Sequence, residues 1–101
     1  MITFNIAGFL ADFAGGHSQI KVDSSPATVR EALTQLWTLH VGLRDRVVNE
    51  QGHVRPHVNI FVDAENIRLR EALDTPLSNN SEVTILPAVS GGSVPGAVAT
   101  G

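Results

Sequence analysis

The sequence predicts a two-layer α+β domain, and three observations carry that reading. Two stretches, Ile2-Thr3-Phe4-Asn5-Ile6 and Val58-Asn59-Ile60-Phe61-Val62-Asp63, alternate apolar and polar side chains, as half-buried strands do. One stretch, Val29 to His40, places apolar residues at helical spacing. Short clusters of Gly, Pro, Asn and Ser punctuate the rest at intervals that leave room only for short strands. One amphipathic helix among several half-buried strands finds its partner by covering one face of a sheet.

The elements follow in order. Ile2 to Ile6 is the first strand. Gly15-Gly16 marks a turn, and Ser18-Gln19-Ile20-Lys21-Val22-Asp23 forms a second strand in hairpin relation to the first. Ser25-Pro26 then opens a helix, because serine caps an exposed backbone N–H and proline suits the first helical position. Val29, Leu33, Leu36, Trp37 and His40 line its buried face, with Trp37 in the core, and the helix ends near His40, before Gly42. A long connection runs from Leu43 to Pro56, with a turn of helix around Leu43–Val47. After the strand at Val58–Asp63, Asp63-Ala64-Glu65-Asn66 makes a turn into a short strand at Ile67-Arg68. Leu73 to Asn80 is a loop, marked by Thr75-Pro76 and Ser78-Asn79-Asn80. Val83 to Ala88 is the last strand, so the order is β-β-α-β-β-β.

Composition bounds the function. The chain has 101 residues, enough for one domain with one modest core. A hydrophobic content of 43% with 17% charged residues fits a globular protein rather than a disordered one. Net charge is −3 and tyrosine is absent, so neither the basic footprint nor the stacking platforms of a nucleic-acid binder are in view. No apolar run reaches the roughly 18 residues of a membrane span, and Met1-Ile2-Thr3-Phe4 lacks a basic leader region. Without cysteine there is no disulfide, no thiolate metal site and no cysteine nucleophile, which fits a reducing cytoplasm.

The most informative segment is Val83-Thr84-Ile85-Leu86-Pro87-Ala88-Val89-Ser90-Gly91-Gly92. A strand-forming run leads to a tip without side-chain bulk. Two glycines have no Cβ and can pass through a slot too narrow for other residues, into another protein's active site. The sequence then continues through nine more residues, 93-101, which carry no charge and no aromatic ring. Taken alone, such a pair is usually a hinge.

Other motifs carry less. Gly15-Gly16-His17 lacks the Gly-Lys-Ser of a phosphate loop and reads as a turn. His53 and His57 flank a proline in a loop, and zinc needs three or four organised ligands, so no metal site is expected from them with His17 or His40. Ser90 and Ser93 have no evident base beside them, so no catalytic residue is expected. If Val58, Ile60 and Val62 face the helix, Phe61 faces out; if Val83 and Ile85 face in, so does Leu86 face out. Phe61, Leu86, Pro87 and Val89 together form a candidate docking surface beside the tail.

These residues carry a family resemblance. Arg55-Pro56-His57-Val58-Asn59-Ile60-Phe61-Val62-Asp63-Ala64-Glu65-Asn66-Ile67-Arg68, then Leu73-Asp74-Thr75-Pro76-Leu77, then Glu82 to Gly92, resemble the MoaD/ThiS sulfur-carrier proteins. The likeness spans residues 1–92 and is densest from Arg55 onward. It implies a β-grasp, ubiquitin-like fold with the first and last strands parallel at the sheet centre. It implies a carrier rather than an enzyme. A ubiquitin-activating-like enzyme would use ATP to adenylate the Gly92 carboxylate, and a sulfur donor would convert it to a thiocarboxylate. A sulfur-accepting synthase would then take the sulfur, for molybdopterin or cysteine biosynthesis, a thiazole or a secondary metabolite. Two departures stand out. Asn79-Asn80-Ser81 replaces an Asp-Gly-Asp-like turn, and residues 93-101 extend past the second glycine. The resemblance implies that a metalloprotease cuts between Gly92 and Ser93, leaving a carrier domain at 1-92. The alternatives are an unprocessed interaction module and a protein modifier attached through Gly92.

Overall fold

In a computed structural model, which describes residues 1–87, five strands form one mixed sheet in the order β2-β1-β5-β3-β4. β1 (Ile2–Ile6) and β2 (Gln19–Val22) are antiparallel, with Phe4 opposite Ile20. β5 (Glu82–Pro87) lies parallel to β1 and antiparallel to β3 (Val58–Val62), so it is the central strand. β4 is only Glu65–Asn66, at the edge beside β3. The expected α+β, β-grasp arrangement is present, including the parallel pair at its centre.

α1 (Val29–Leu39) covers one face of this sheet. Val29, Ala32, Leu33 and Leu36 are buried against Ile2, Phe4, Ile6, Val58, Ile60, Val62, Val83 and Ile85. Each sheet contributor sits at alternate positions, because successive strand side chains leave opposite faces. The buried apolar set drives folding by removing side chains of about 1.5–3 kcal/mol each from water.

Several expectations are corrected. The cap of α1 is Thr28, not Ser25. Its Oγ1 accepts the Glu31 N–H at 3.3 Å, while Glu31 Oε1 reaches back to the Ala27 N–H at 3.1 Å. Thr28 also bridges Pro76, and this contact sets where the helix can begin. Trp37 is half-buried at the rim of the core rather than inside it. The turn of helix expected at Leu43–Val47 is α2 (Val41–Val47), which buries Leu43 and Val47. The β1–β2 connection is a 3-10 helix, Gly8–Ala14, which buries Leu10 and Ala14 and ends on Gly15 at φ +65°. Ile67-Arg68 is a 3-10 turn, and the strand lies two residues earlier, at Glu65–Asn66. The cause is a tight turn at Asp63-Ala64, both at positive φ, which leaves two residues to pair before Asn66 caps the Arg68 N–H. The last strand begins at Glu82, one residue earlier than expected.

The Leu73-Asp74-Thr75-Pro76 motif has a structural role. Thr75 is fully buried, its hydroxyl donates to the Ala72 carbonyl at 2.6 Å, and its own carbonyl accepts the Val29 N–H at 3.1 Å. That bond satisfies an N–H in the first turn of α1, which has no partner within the helix.

Candidate functional site

The segment that leads to the two glycines leaves from the middle of the sheet. β5 is held on both sides as far as Ile85, which lies opposite Ile6, and by β3 alone to Pro87, which lies opposite Val58. Just beyond β1, the Ala7 N–H donates to the Ile85 carbonyl at 3.0 Å. Gly8 then takes φ +62°, and a Cβ there would sit 3.2 Å from Pro87 Cγ. Only glycine combines that backbone with that approach. Proline has a fixed φ and no N–H, so Pro87 gives β5 a stiff end and offers no donor to a further ladder bond. The tail therefore starts from a rigid root. Val89, Gly91, Gly92 and Ser93, expected as docking, sulfur-bearing and cleavage positions, lie outside the described residues.

The face of the sheet opposite α1 carries Phe61 and Leu86. Register places Phe61 opposite Thr84 and Leu86 opposite Asn59, so the two apolar side chains are diagonal neighbours on one face. Both are half-buried. Polar networks border them. Gln19 Nε2 donates to Asn5 Oδ1 at 3.2 Å, and Asn5 Nδ2 donates to Thr84 Oγ1 at 3.4 Å. On the other flank Asn59 Oδ1 accepts from Arg68 Nη1 at 2.7 Å and from Asn66 Nδ2 at 3.5 Å. The arrangement can bind by contact and shape. Neither network places a base beside a nucleophile.

Alternation found Phe61 and Leu86, because parity is a local property. Pro87 is separated from them. It shares the inward parity of Ile85, lies opposite buried Val58 and packs on Gly8, so it marks the root of the tail rather than the open face. Asn5, Asn59, Thr84 and Arg68 were missed. What joins them is register across β1, β5 and β3 and a contact from the 3-10 turn that carries Arg68, neither of which a single-strand pattern encodes.

His17 and His40 are brought side by side, ring centroids 6.4 Å apart. Among the described residues no group of three or more His, Cys, Asp or Glu is placed to hold a metal ion. No helix among them is long and apolar enough to cross a membrane.

Comparison with known proteins decides the family. The ThiS family model matches residues 5–92, which is most of the chain and runs through the second glycine. The chain belongs to the ThiS family. Sulfur carrier protein CysO of Mycobacterium tuberculosis is 32% identical over 93 residues, covering 90% of this chain and 98% of the relative. Small archaeal modifier protein 1 of Haloferax volcanii is 34% identical over 84 residues, 82% of this chain and 91% of the relative. Among solved structures, the BexX/CysO complex of Amycolatopsis orientalis contains a chain that superposes with a TM-score of 0.80. It is 29% identical, and the match covers 91% of this chain and all of that one. These ThiS-family relatives bear the names of carriers and modifiers, in line with the resemblance read from the sequence.

Proposed function

We propose that this chain is a sulfur carrier whose Gly92 carboxylate becomes a thiocarboxylate once residues 93-101 are removed. One observation carries the reading: the family match, with relatives named as sulfur carriers, extends through Gly91-Gly92 and stops at residue 92. The rigid root at Pro87 supports it, since a stiff base aims a short tail into a partner's active site.

Three steps follow. A metalloprotease hydrolyses the Gly92–Ser93 peptide bond. An ATP-dependent activating enzyme then joins a Gly92 carboxylate oxygen to the α-phosphorus of ATP, and pyrophosphate leaves. A sulfide-level donor next attacks the acyl carbon; the C–S bond forms, the C–O bond to AMP breaks, and a proton is released. The thiocarboxylate sulfur then attacks an electrophilic acceptor bound by a synthase, displacing its leaving group, and water cleaves the acyl C–S bond, returning the Gly92 carboxylate and leaving the sulfur on the acceptor. The chain contributes a docking face and a reactive end, and acts as a protein cosubstrate rather than a catalyst. It binds no cofactor of its own; the ATP is held by the activating enzyme.

A second reading rests on the 34% identity to a small archaeal modifier: attachment through Gly92 to lysine side chains of other proteins. The intact mass of the protein from its native cell separates the readings. A chain ending at Gly92, heavier by exchange of one oxygen for sulfur, is the expected form. A chain recovered only in amide linkage to other proteins supports the modifier, and one retaining residue 101 throughout contradicts both.

A further inference from the structure

We propose that the surface beside the root of the tail, built by Phe9, Arg46, Arg55 and His57, receives a carboxylate-bearing segment of the enzyme that adenylates this chain. The inference rests on the function proposed above and adds the chemistry of the partner's contact.

The charge distribution points there. Of seven lysines and arginines, Arg30, Arg44 and Arg70 pair with carboxylates: Arg30 with Asp74, Arg44 with Asp45, and Arg70 with Glu65 and Glu71. Lys21, Arg46, Arg55 and Arg68 have no carboxylate partner among the described residues, although acidic residues outnumber basic ones by ten to seven. Three of these four gather near the start of β3, the strand that meets Pro87. Arg68 Nη2 donates to the Arg55 carbonyl at 3.0 Å. Arg55 and Arg46 line a surface cavity of about 300 Å³ with Phe9, Asp45 and His57, and His57 adjoins Val58, the residue opposite Pro87.

Both guanidinium groups are held in place by contacts that leave their charge uncompensated. Arg55 Nε donates to the Asp45 backbone carbonyl at 2.8 Å. The Arg46 guanidinium carbon lies 4.4 Å from the Phe13 ring centroid, a cation–π contact that leaves its N–H edge available. The Asp45 carboxylate is engaged by Arg44 at 3.3 Å. Phe9 is 52% exposed and adds an apolar wall. A planar guanidinium pre-positioned without an anion is suited to bidentate carboxylate binding, because little side-chain freedom remains to be lost. An acidic segment with one apolar side chain matches this surface. Its seat beside the tail's root allows docking there while the tail enters the nucleotide site.

The test is steady-state thiocarboxylate formation with the cognate adenylating enzyme. It uses the form ending at Gly92, which keeps every buried residue of the described fold. Variants are Arg46→Glu, Arg55→Glu and the pair together, with Arg55→Lys guarding against misfolding and Lys21→Glu, on the far edge strand, matching the charge change. For the pair, KM should rise about tenfold or more with kcat nearly unchanged, and the salt dependence of kcat/KM should flatten. Lys21→Glu should behave as wild type and Arg55→Lys should fall between. Unchanged KM in the pair, or an equal rise in Lys21→Glu, overturns the inference while leaving the sulfur-carrier reading intact. Failure of the wild type to load overturns both.

Discussion

The two faces of the sheet use the same strands for opposite purposes. In β5, Val83 and Ile85 point toward α1 and are fully buried, while Thr84 and Leu86 point away and are half-buried. In β3, Val58, Ile60 and Val62 are buried, and Asn59 and Phe61 are not. One face is closed by α1 and carries the folding free energy. The other is finished with amide networks around two apolar side chains, so it can be covered and uncovered without disturbing the core. The comparison teaches that the parity of a residue in a central strand, more than its identity, decides whether a substitution unfolds the domain or leaves it folded, and on the proposed function the second kind is expected to read out as lost docking.

Adjacent positions give the sharpest way to break this contrast. Ile85→Asp places an unpaired carboxylate in the closed face and should cost more than about 4 kcal/mol, abolishing the cooperative urea transition. Leu86→Asp, one residue on, should move stability by no more than about 1 kcal/mol. Equal destabilisation would show that the open face is also core.

Gly92→Ala belongs to neither face. In the form ending at residue 92 it should lower ATP-dependent loading about a hundredfold, since a displacement near 1 Å at the reacting carboxylate is enough for that. Its melting should match wild type. Equal loading would remove the physical reason for reading Gly91-Gly92 as the reactive end.

Smaller effects sharpen the comparison from the side of the fold. Thr28→Ala removes the cap of α1 and should cost about 1 kcal/mol in urea denaturation, with loading per folded molecule unchanged. Ala64→Gly relieves a φ of +78° in the β3–β4 turn and should raise stability by about 1 kcal/mol, seen as a Tm higher by several degrees. Arg30→Ala breaks a pair whose side chains are 57% and 73% exposed, and should change stability by less than about 0.5 kcal/mol. A larger loss there would assign the Arg30–Asp74 pair a role in holding α1.

Much of this was legible in the residues. Alternation in Ile2–Ile6, Val58–Val62 and Val83–Ile85 is a local signal, and it placed the strands and the outward direction of Phe61 and Leu86 correctly. The failures have tertiary causes. Ser25-Pro26 has good capping chemistry, but Thr28 bridges Pro76 and the next N–H, of Val29, donates to the Thr75 carbonyl, contacts that span nearly fifty positions. Ile67-Arg68 has a strand-like composition, yet Asn66 accepts the Arg68 N–H and turns the chain into a 3-10 helix after only two residues have paired with β3. The segment Gly8–Ala14 buries only Leu10 and Ala14, a single i, i+4 pair that is too little to mark a helix in so short a stretch. At the candidate site the motif was readable and its surroundings were not. Asn59 shares the face of Phe61 by alternation, but Asn5 reaches the apolar pair only through the β1–β5 register and Arg68 only from the 3-10 turn after β4.

The division between the faces is tested most directly by the kcat/KM of thiocarboxylate formation in Leu86→Asp, measured beside wild type in the form ending at Gly92. The account expects a fall of about tenfold or more, carried mainly by KM, in a protein that melts as wild type does. Wild-type kcat/KM in a folded Leu86→Asp protein would contradict it, because the open face would then have no part in meeting the activating enzyme.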